Sequence, residues 1–545
     1  MAPIIRTCSA IALITAAWPA AAQGKPDALG HYVEGRILDA AGQGGRAAQS
    51  YGLALTAAPA EERIALRAYR QALEAGDRKL ALRAANALER QGKLPGDGRV
   101  LLFVDTVDRG DWRAAHLNID RMEESGQFSF LVPIFRAWVR FGAREAEPLA
   151  PIEVRSRDSL TAAFAREQRV HLLLAMKRTD EGLAATRALA GTDRSGGWLR
   201  LSAAARLAEL GKRAEALSLL AGTDAAFVRA RALVEGGQAV PGGIATPGQG
   251  IATVLTRVAA DLVRDNSGPS ALTMARLASF ADPASDSARL VLAQALSIAG
   301  YQNPALAEAD RFPANSLFSG AVRELRFSAL QRAGRDADAL AFAETQARAP
   351  QADALDYARL GDALGRAGRN SDSARAYGQA IEVAEKEGNQ ASWNLWLLYG
   401  GALDTAGDWA KAKPALEKAV SIAPEQPAAL NHLGYAMLER KENLTEATRL
   451  IAKAAALRPE DAAITDSLGW AFFMRGQTAE SIALLERAVA ADPTEAALGE
   501  HLGDAYWAAG RKIEARYAWR AALVQADGEA QAKRIEARIV DGPPK

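Results

Sequence analysis

Cysteine is nearly absent from this sequence. Cys8 is the only one in 545 residues, and it lies ahead of the first apolar stretch. If that leader is removed, no thiol remains, which excludes disulfides and thiol chemistry. An excess of charge is also missing. The formal balance is +1, and removing residues 1–22 deletes Arg6 alone, leaving 65 bases against 65 acids. A balanced chain gives no electrostatic case for nucleic acid or an anionic lipid surface. Histidine is scarce: His31, His116, His171, His432 and His501 lack a metal-ligand neighbour at helical spacing, so no metal is expected. Phosphate-loop, HExxH and GxSxG patterns are missing. Gly248-Gln-Gly250 lacks the third glycine and the preceding strand of a dinucleotide site, so no cofactor is expected and no catalytic residue stands out.

Long apolar runs are missing too, apart from the start. MAPIIRTCSAIALITAAWPAAAQG has a thin basic region at Arg6, an apolar stretch from Ala10 to Trp18, and small residues at Ala20-Ala21-Ala22. It reads as a secretory signal peptide cleaved near Ala22; a buried helix is the competing reading. The stretch is too short to span a bilayer, and no later segment is long and apolar enough. The expectation is an enzymatically inert protein, periplasmic or secreted, without an integral membrane span.

What the chain does have is a repeat. NHLGYAML, TDSLGWAFFMRG and GEHLGDAYWAAG place Leu-Gly pairs at Leu433-Gly434, Leu468-Gly469 and Leu502-Gly503, at intervals of 35 and 34 residues. A second block follows each pair: Ala447, Ile451, Ala454 and Pro459; Ser481, Leu485, Ala488 and Pro493; Ala515, Trp519 and Ala522. Each block has the apolar spacing of an amphipathic helix. A glycine inside the first helix lets a neighbour approach closely. Gly476 and Gly510 end first helices, and Pro459 and Pro493 close second ones. One such hairpin cannot bury its apolar face, whereas stacked copies can.

In period and order of residue types the pattern resembles the tetratricopeptide repeat (TPR), a helix–turn–helix unit. The C-terminal run also resembles exported multi-repeat TPR proteins widespread in proteobacteria, strongly over 355–525 and in degenerate form elsewhere. Gly42, Gly76 and Gly110 are spaced by 34, with Ala47, Ala81 and Ala115 five further on. The pattern blurs over 128–200 and returns at Gly211 with Ala216. Residues 235–250, EGGQAVPGGIATPGQG, have no periodicity and read as an exposed surface loop, with a hinge as the alternative. Asn266, Gly300, Gly334 and Gly368 restore the spacing of 34, and Gly407 follows after 39.

The expected architecture is all-α, an α-α superhelix (TPR solenoid), degenerate in the N-terminal half and regular in the C-terminal half. Its parts are a signal peptide at 1–22, degenerate helical repeats at 23–234, the Gly/Pro-rich loop at 235–250, TPR-like repeats at 251–354, a regular array at 355–527, and a solvated capping helix and tail at 528–545.

The resemblance also implies where a partner binds. In TPR arrays the first helices line a concave groove, at positions three before, two before, one after and four after the helix glycine. Those positions are Asn431, His432, Tyr435 and Leu438; Asp466, Ser467, Trp470 and Phe473; and Glu500, His501, Asp504 and Trp507. Aromatic anchors among polar neighbours suit a peptide-binding surface. Equally, Trp470 or Phe473 can pack into the next repeat, and the recurrence of His432 and His501 can reflect duplication alone. TPR clamps for a partner's C-terminal carboxylate use Lys, Asn and Arg here; acids and histidines favour a basic or apolar segment. The implied role is a non-enzymatic interaction scaffold of the cell envelope, binding an extended or helical peptide segment of a protein partner. The alternatives are a self-associating structural solenoid and a regulatory subunit of a glycan-modifying enzyme.

Overall fold

The computed structural model describes residues 27–153, 159–189, 196–313, 315–386 and 388–543, so the leader read at 1–22 lies outside the described residues. Those residues form thirty α-helices and no strand. They divide into two compact units, up to Ala329 and from Leu330 onward.

The first unit begins as hairpins: α1 (Ala28–Ala40) with α2 (Gly44–Ala57), α3 (Glu62–Ala75) with α4 (Arg78–Arg90), and α5 (Gly96–Asp108) with α6 (Trp112–Ser125). A short 3₁₀ turn leads to α7 (Val132–Gly142), the one-turn α8 (Ala150–Glu153), α9 (Ser159–Ala175), α10 (Thr179–Leu189), α11 (Gly196–Glu209), α12 (Arg213–Leu219) and α13 (Ala225–Glu235). Pairing resumes with α14 (Pro247–Arg264) and α15 (Gly268–Ala281), then α16 (Asp286–Ile298) and α17 (Gln302–Ala309); α18 (Ser319–Arg332) crosses into the second unit. There α19 (Asp336–Ala347) precedes five hairpins: α20 (Ala354–Arg366) with α21 (Asn370–Lys386), α22 (Trp393–Thr405) with α23 (Trp409–Ile422), α24 (Pro427–Glu439) with α25 (Leu444–Leu457), α26 (Ala462–Met474) with α27 (Thr478–Ala491), and α28 (Ala496–Ala508) with α29 (Lys512–Val524). α30 (Glu529–Asp541) ends the series.

One contact repeats through the hairpins. A glycine of the first helix lies against a bulky residue of the second. A Cβ on Gly35, Gly361, Gly400, Gly434 or Gly469 would come within 2.7–2.8 Å of Tyr51, Tyr377, Leu416, Ile451 or Leu485. Gly503 faces Trp519 in the same way, and Tyr51, Leu416, Ile451, Leu485 and Trp519 are fully buried. Burial of such a side chain contributes about 1.5–3 kcal/mol. The turns are as regular. Gly76, Gly110 and Gly407 have φ of 79°, 68° and 83°, which a side chain disfavours. The aspartate that follows each one, Asp77, Asp111 or Asp408, accepts a hydrogen bond from a backbone N–H in the first turn of the next helix. Asn266 and Lys441 take the left-handed turn position in their own repeats, at φ of 54° and 55°.

The first unit departs from a linear array. α14 and α15 return to pack on α3, α5 and α7. The Arg276 side chain of α15 is buried and donates from Nε to Leu73 O (2.9 Å) and from Nη2 to Glu74 O (3.1 Å), at the C-terminus of α3. A cation suits the negative end of a helix dipole. Tyr301 donates to Glu74 Oε2 at 3.0 Å. Much of α9–α13 forms a separate core around Leu199, Leu207, Leu220 and Phe227. The aperiodic stretch from 128 to 200 is divided between two cores: Leu131, Phe135, Trp138 and Ile152 pack into the larger one, and Val170, Leu174 and Leu199 into this one.

Residues 236–246 run as a loop between α13 and α14, exposed over 236–239, 241 and 242 but anchored at two positions, and the last four residues of the 235–250 stretch are helical. Val240 and Ile244 are buried, and Pro247–Gly250 is the first turn of α14, capped by Thr246 and Gln249. Gly250 lies against the ring of buried Trp138, where no side chain would fit.

The glycine contacts give a stability test. We expect Gly434→Ala and Gly469→Ala each to destabilise the second unit by about 1–3 kcal/mol in denaturant melts, through overpacking. Gly45→Ala, in α2 with nothing near its added Cβ, should change stability by less than about 0.5 kcal/mol.

Candidate interaction groove

Stacking the first helices α24, α26 and α28 leaves a groove of about 680 Å³ in the second unit. Six of the residues picked by register line it: Asn431, His432, Tyr435, Asp466, Ser467 and His501. The others lie elsewhere, each for a packing reason. Leu438 is fully buried in the core of its own repeat. Phe473 packs with Ile482, Leu485 and Leu502 of the following helices. Trp470 stacks between Phe473 (centroids 4.8 Å apart) and His501 (4.3 Å, interplanar 17°), and its Nε1 donates to Glu439 Oε1 at 3.1 Å.

Glu500, Asp504 and Trp507 are covered by the end of the chain. Arg534 of α30 holds Glu500 with two hydrogen bonds, of 3.0 and 2.8 Å, and Gln531 adds a third at 3.1 Å. Arg538 donates to Asp504 at 3.1 Å, and Trp519 Nε1 donates to the same carboxylate at 3.1 Å. Burial alone would raise the Glu500 pKa, but Arg534, Gln531 and Arg538 bring it below the usual range. At Asp504 burial prevails over Arg538 and the pKa rises. The Trp507 ring leans on Trp519 at 5.5 Å and carries Lys512 and Arg516 over its face. α30 covers the last hairpin with one face: its Ile535 is fully buried against Trp519, while eight of its thirteen residues are exposed. The expectation that these three residues face an open groove is therefore overturned by α30, whose arginines compensate two buried acids.

The groove holds an acid excess, Asp404, Glu439, Asp461, Asp466 and Glu495 against Arg440 and Arg458. Arg440 is paired with Asp404 and lies 4.3 Å over the Trp409 ring. Two acceptors stand out. Asp466 is buried; His501 Nδ1 bonds its Oδ2 at 2.8 Å, while its Oδ1 accepts nothing. Asn431 Oδ1, at the same register position one repeat earlier, is also without a partner. The Tyr435 hydroxyl is pushed above its ordinary pKa by burial and by the charges of Glu439 and Asp466, so it stays a neutral donor.

Register reasoning missed Asp404, Glu439, Arg440 and Arg458. The same rule applied one repeat earlier, at Gly400, reaches Asp404 and also Gly401, beside which the His432 ring lies. Glu439 is one residue beyond the rule's span, and no sequence signal marks it.

The tetratricopeptide repeat family model matches residues 358–427, 400–462, 438–496 and 467–531. This C-terminal third is an array of tetratricopeptide repeats. TPR arrays are typically non-catalytic scaffolds for protein–protein interaction, which implies protein partners. Comparison with curated proteins finds no match. Similar solved structures include MamA from Desulfovibrio magneticus, 21% identical over 32% of this chain and 94% of that one, with a TM-score of 0.28. PilF from Pseudomonas aeruginosa is 16% identical over 34% of this chain and 82% of its own, with a TM-score of 0.29. A chain of the APC/C hetero-tetramer Cut9–Hcn1 is 13% identical over 94% of this chain and 96% of its own, with a TM-score of 0.40. None of these likenesses speaks to function. Among the described residues, no helix is long and apolar enough to cross a membrane.

The two groove histidines titrate in opposite directions. For His501 the largest single effect is burial, which lowers the pKa. The hydrogen bond His501 donates to Asp466 and the charges of Asp466, Asp504 and Glu439 together outweigh it, and the net shift is upward from 6.5. Burial lowers His432, and Asp404 recovers only part of the loss. Because its folded-state pKa is raised, His501 adds stability in full below about pH 6.5 and loses it as pH rises through the raised value. We expect the His501 ring resonance to titrate at higher pH than that of His432, and Asp466→Asn to lower the His501 midpoint. An NMR titration with no such drop would remove Asp466 as the controlling group.

Proposed function

We propose that this protein is a non-enzymatic interaction scaffold that holds a polypeptide segment in the groove between α24, α26 and α28. The observation that carries the reading is the pair of unpartnered acceptors, Asn431 Oδ1 and Asp466 Oδ1, at one register position of successive repeats on the wall of that groove. A buried acceptor left without a donor costs about 1–3 kcal/mol. Donors to these two oxygens are what this wall lacks, and its acid excess favours basic ones on a partner. α30 illustrates this chemistry within the chain. Arg534 and Arg538, one turn apart, sit on Glu500 and Asp504, also one turn apart. Tyr435 adds a large ring beside the acceptors. The place of action we propose is the cell envelope, periplasmic or secreted, because residues 1–22 read as an export signal.

A second reading, self-association, rests on a different observation. α29 leaves Ile513, Tyr517 and Val524 exposed, at 72%, 66% and 80%. In sedimentation velocity, Ile513→Glu with Tyr517→Glu should convert any oligomer to monomer if that face joins copies; an unchanged distribution would discard this reading.

For the groove, short random peptides displayed on phage would be selected against the chain. We expect enrichment of arginine or lysine, and at least about tenfold weaker binding of the selected peptides to an Asn431→Leu, Asp466→Asn, Tyr435→Ala variant with unchanged helicity. Selected peptides that bind both proteins alike would place the site outside the groove.

A further inference from the structure

The first unit contains a cavity of about 580 Å³, independent of the groove above. It lies where the side core of α9–α13 meets the returning helices α14 and α16, with residues 241–244 and 317–318 completing the wall. Its surface is mostly apolar: Trp198, Leu201, Ile244, Ala260, Val263 and Phe318 line it. Trp198 and Phe318 meet edge to face at 6.1 Å. Arg229 fixes the segment that carries Phe318, donating to Ser316 O at 2.9 Å and bonding Ser319. This wall is built from ordered contacts and is not a gap between loose ends.

The charged groups nearby compensate one another. Arg257 lies 3.6 Å from Glu167 and 3.1 Å from Asp261, and Arg264 also pairs with Asp261. The other lining acids are engaged too: Glu209 pairs with Arg206 and Asp286 with Arg289, and Asp282 accepts from the Ala284 N–H; burying a further unpaired ion would cost far more than burying a neutral group.

His171 lines the same wall. It is buried, at 3% exposure, and has no hydrogen-bond partner among the described residues. Burial pushes its imidazole down to about 4, so the ring is neutral near pH 7. A neutral imidazole presents one donor and one acceptor, and buried polar groups in proteins are nearly always paired. An unpaired neutral imidazole on the wall of a mostly apolar cavity of this size is the arrangement of a small-molecule site.

We propose that this cavity binds an uncharged, largely apolar small molecule through one hydrogen bond to His171. The function read from the groove neither requires nor supplies this site. The ring's neutrality makes a hydrogen-bonding group the matching feature, rather than a carboxylate or an ammonium.

The test uses the whole chain and the uncharged probe N-phenyl-1-naphthylamine, which fluoresces in apolar surroundings and carries one N–H. We expect saturable binding of one probe per chain. Ala260→Trp and Ser202→Leu, two independent ways of filling the cavity, should each weaken it at least about tenfold, with folding checked by circular dichroism. His171→Phe, which keeps the ring's shape, should weaken it about threefold to tenfold, the range of one neutral hydrogen bond. Asp466→Asn in the groove should have no effect. Wild-type affinity in the folded cavity variants, or no saturable binding to the native chain, would overturn the proposal. Unchanged affinity in His171→Phe would overturn the role assigned to the histidine.

Discussion

The close approach of a glycine in one helix to a bulky side chain in the next sets the spacing on which the rest of the second unit depends. Gly361, Gly400, Gly434, Gly469 and Gly503 each sit under Tyr377, Leu416, Ile451, Leu485 or Trp519. With each hairpin closed in this way, the first helices face the same side, one behind another. Residues at fixed offsets from those glycines are then brought together although they are more than thirty positions apart in sequence. His501 reaches Asp466, Trp470 reaches Glu439, and Arg440 reaches Asp404 by this rule. The wall of the groove is thus a set of contacts between repeats, and the helical backbone only supplies their spacing.

The same offset does different work in different repeats. Asn431, Asp466 and Glu500 hold equivalent positions, yet Glu500 is fully engaged by Arg534 and Gln531 while Asp466 keeps one oxygen unpaired. What decides is the helix that follows. After α28 comes α30, which presents two arginines; after α26 comes α28, which presents a single histidine to Asp466. Register says which side a residue faces, and the next helix says whether it is free.

That distinction marks what could be read from the residues alone. The all-α fold, the period and the turn positions were legible, because a left-handed turn demands glycine or a close substitute. Every inter-helix turn glycine singled out, from Gly42 to Gly510, has positive φ. The groove was legible only in part. Six register positions line it, whereas Leu438 turns into the core of its own repeat and Phe473 and Trp470 into contacts with Leu502 and His501 of the next repeat. The burial of Glu500, Asp504 and Trp507 was hidden because α30 looks like a plain charged helix until Arg534 and Arg538 are placed 34 residues after those acids. The middle of the first unit was least legible. There the helices α9–α13 build a core of their own and owe little to a period of 34.

The buried guanidinium of Arg276 has a mechanical consequence. It ties α15 to the end of α3 across some two hundred residues of chain, and Tyr301 adds a second tie at Glu74. The hairpins from α20 to α29 touch chiefly their immediate neighbours. Under load the two units should respond differently. The second can lengthen like a coil spring, with a small rotation at each glycine contact, and so can change the width of its groove. The first is braced like a truss and would hold its shape until a brace breaks.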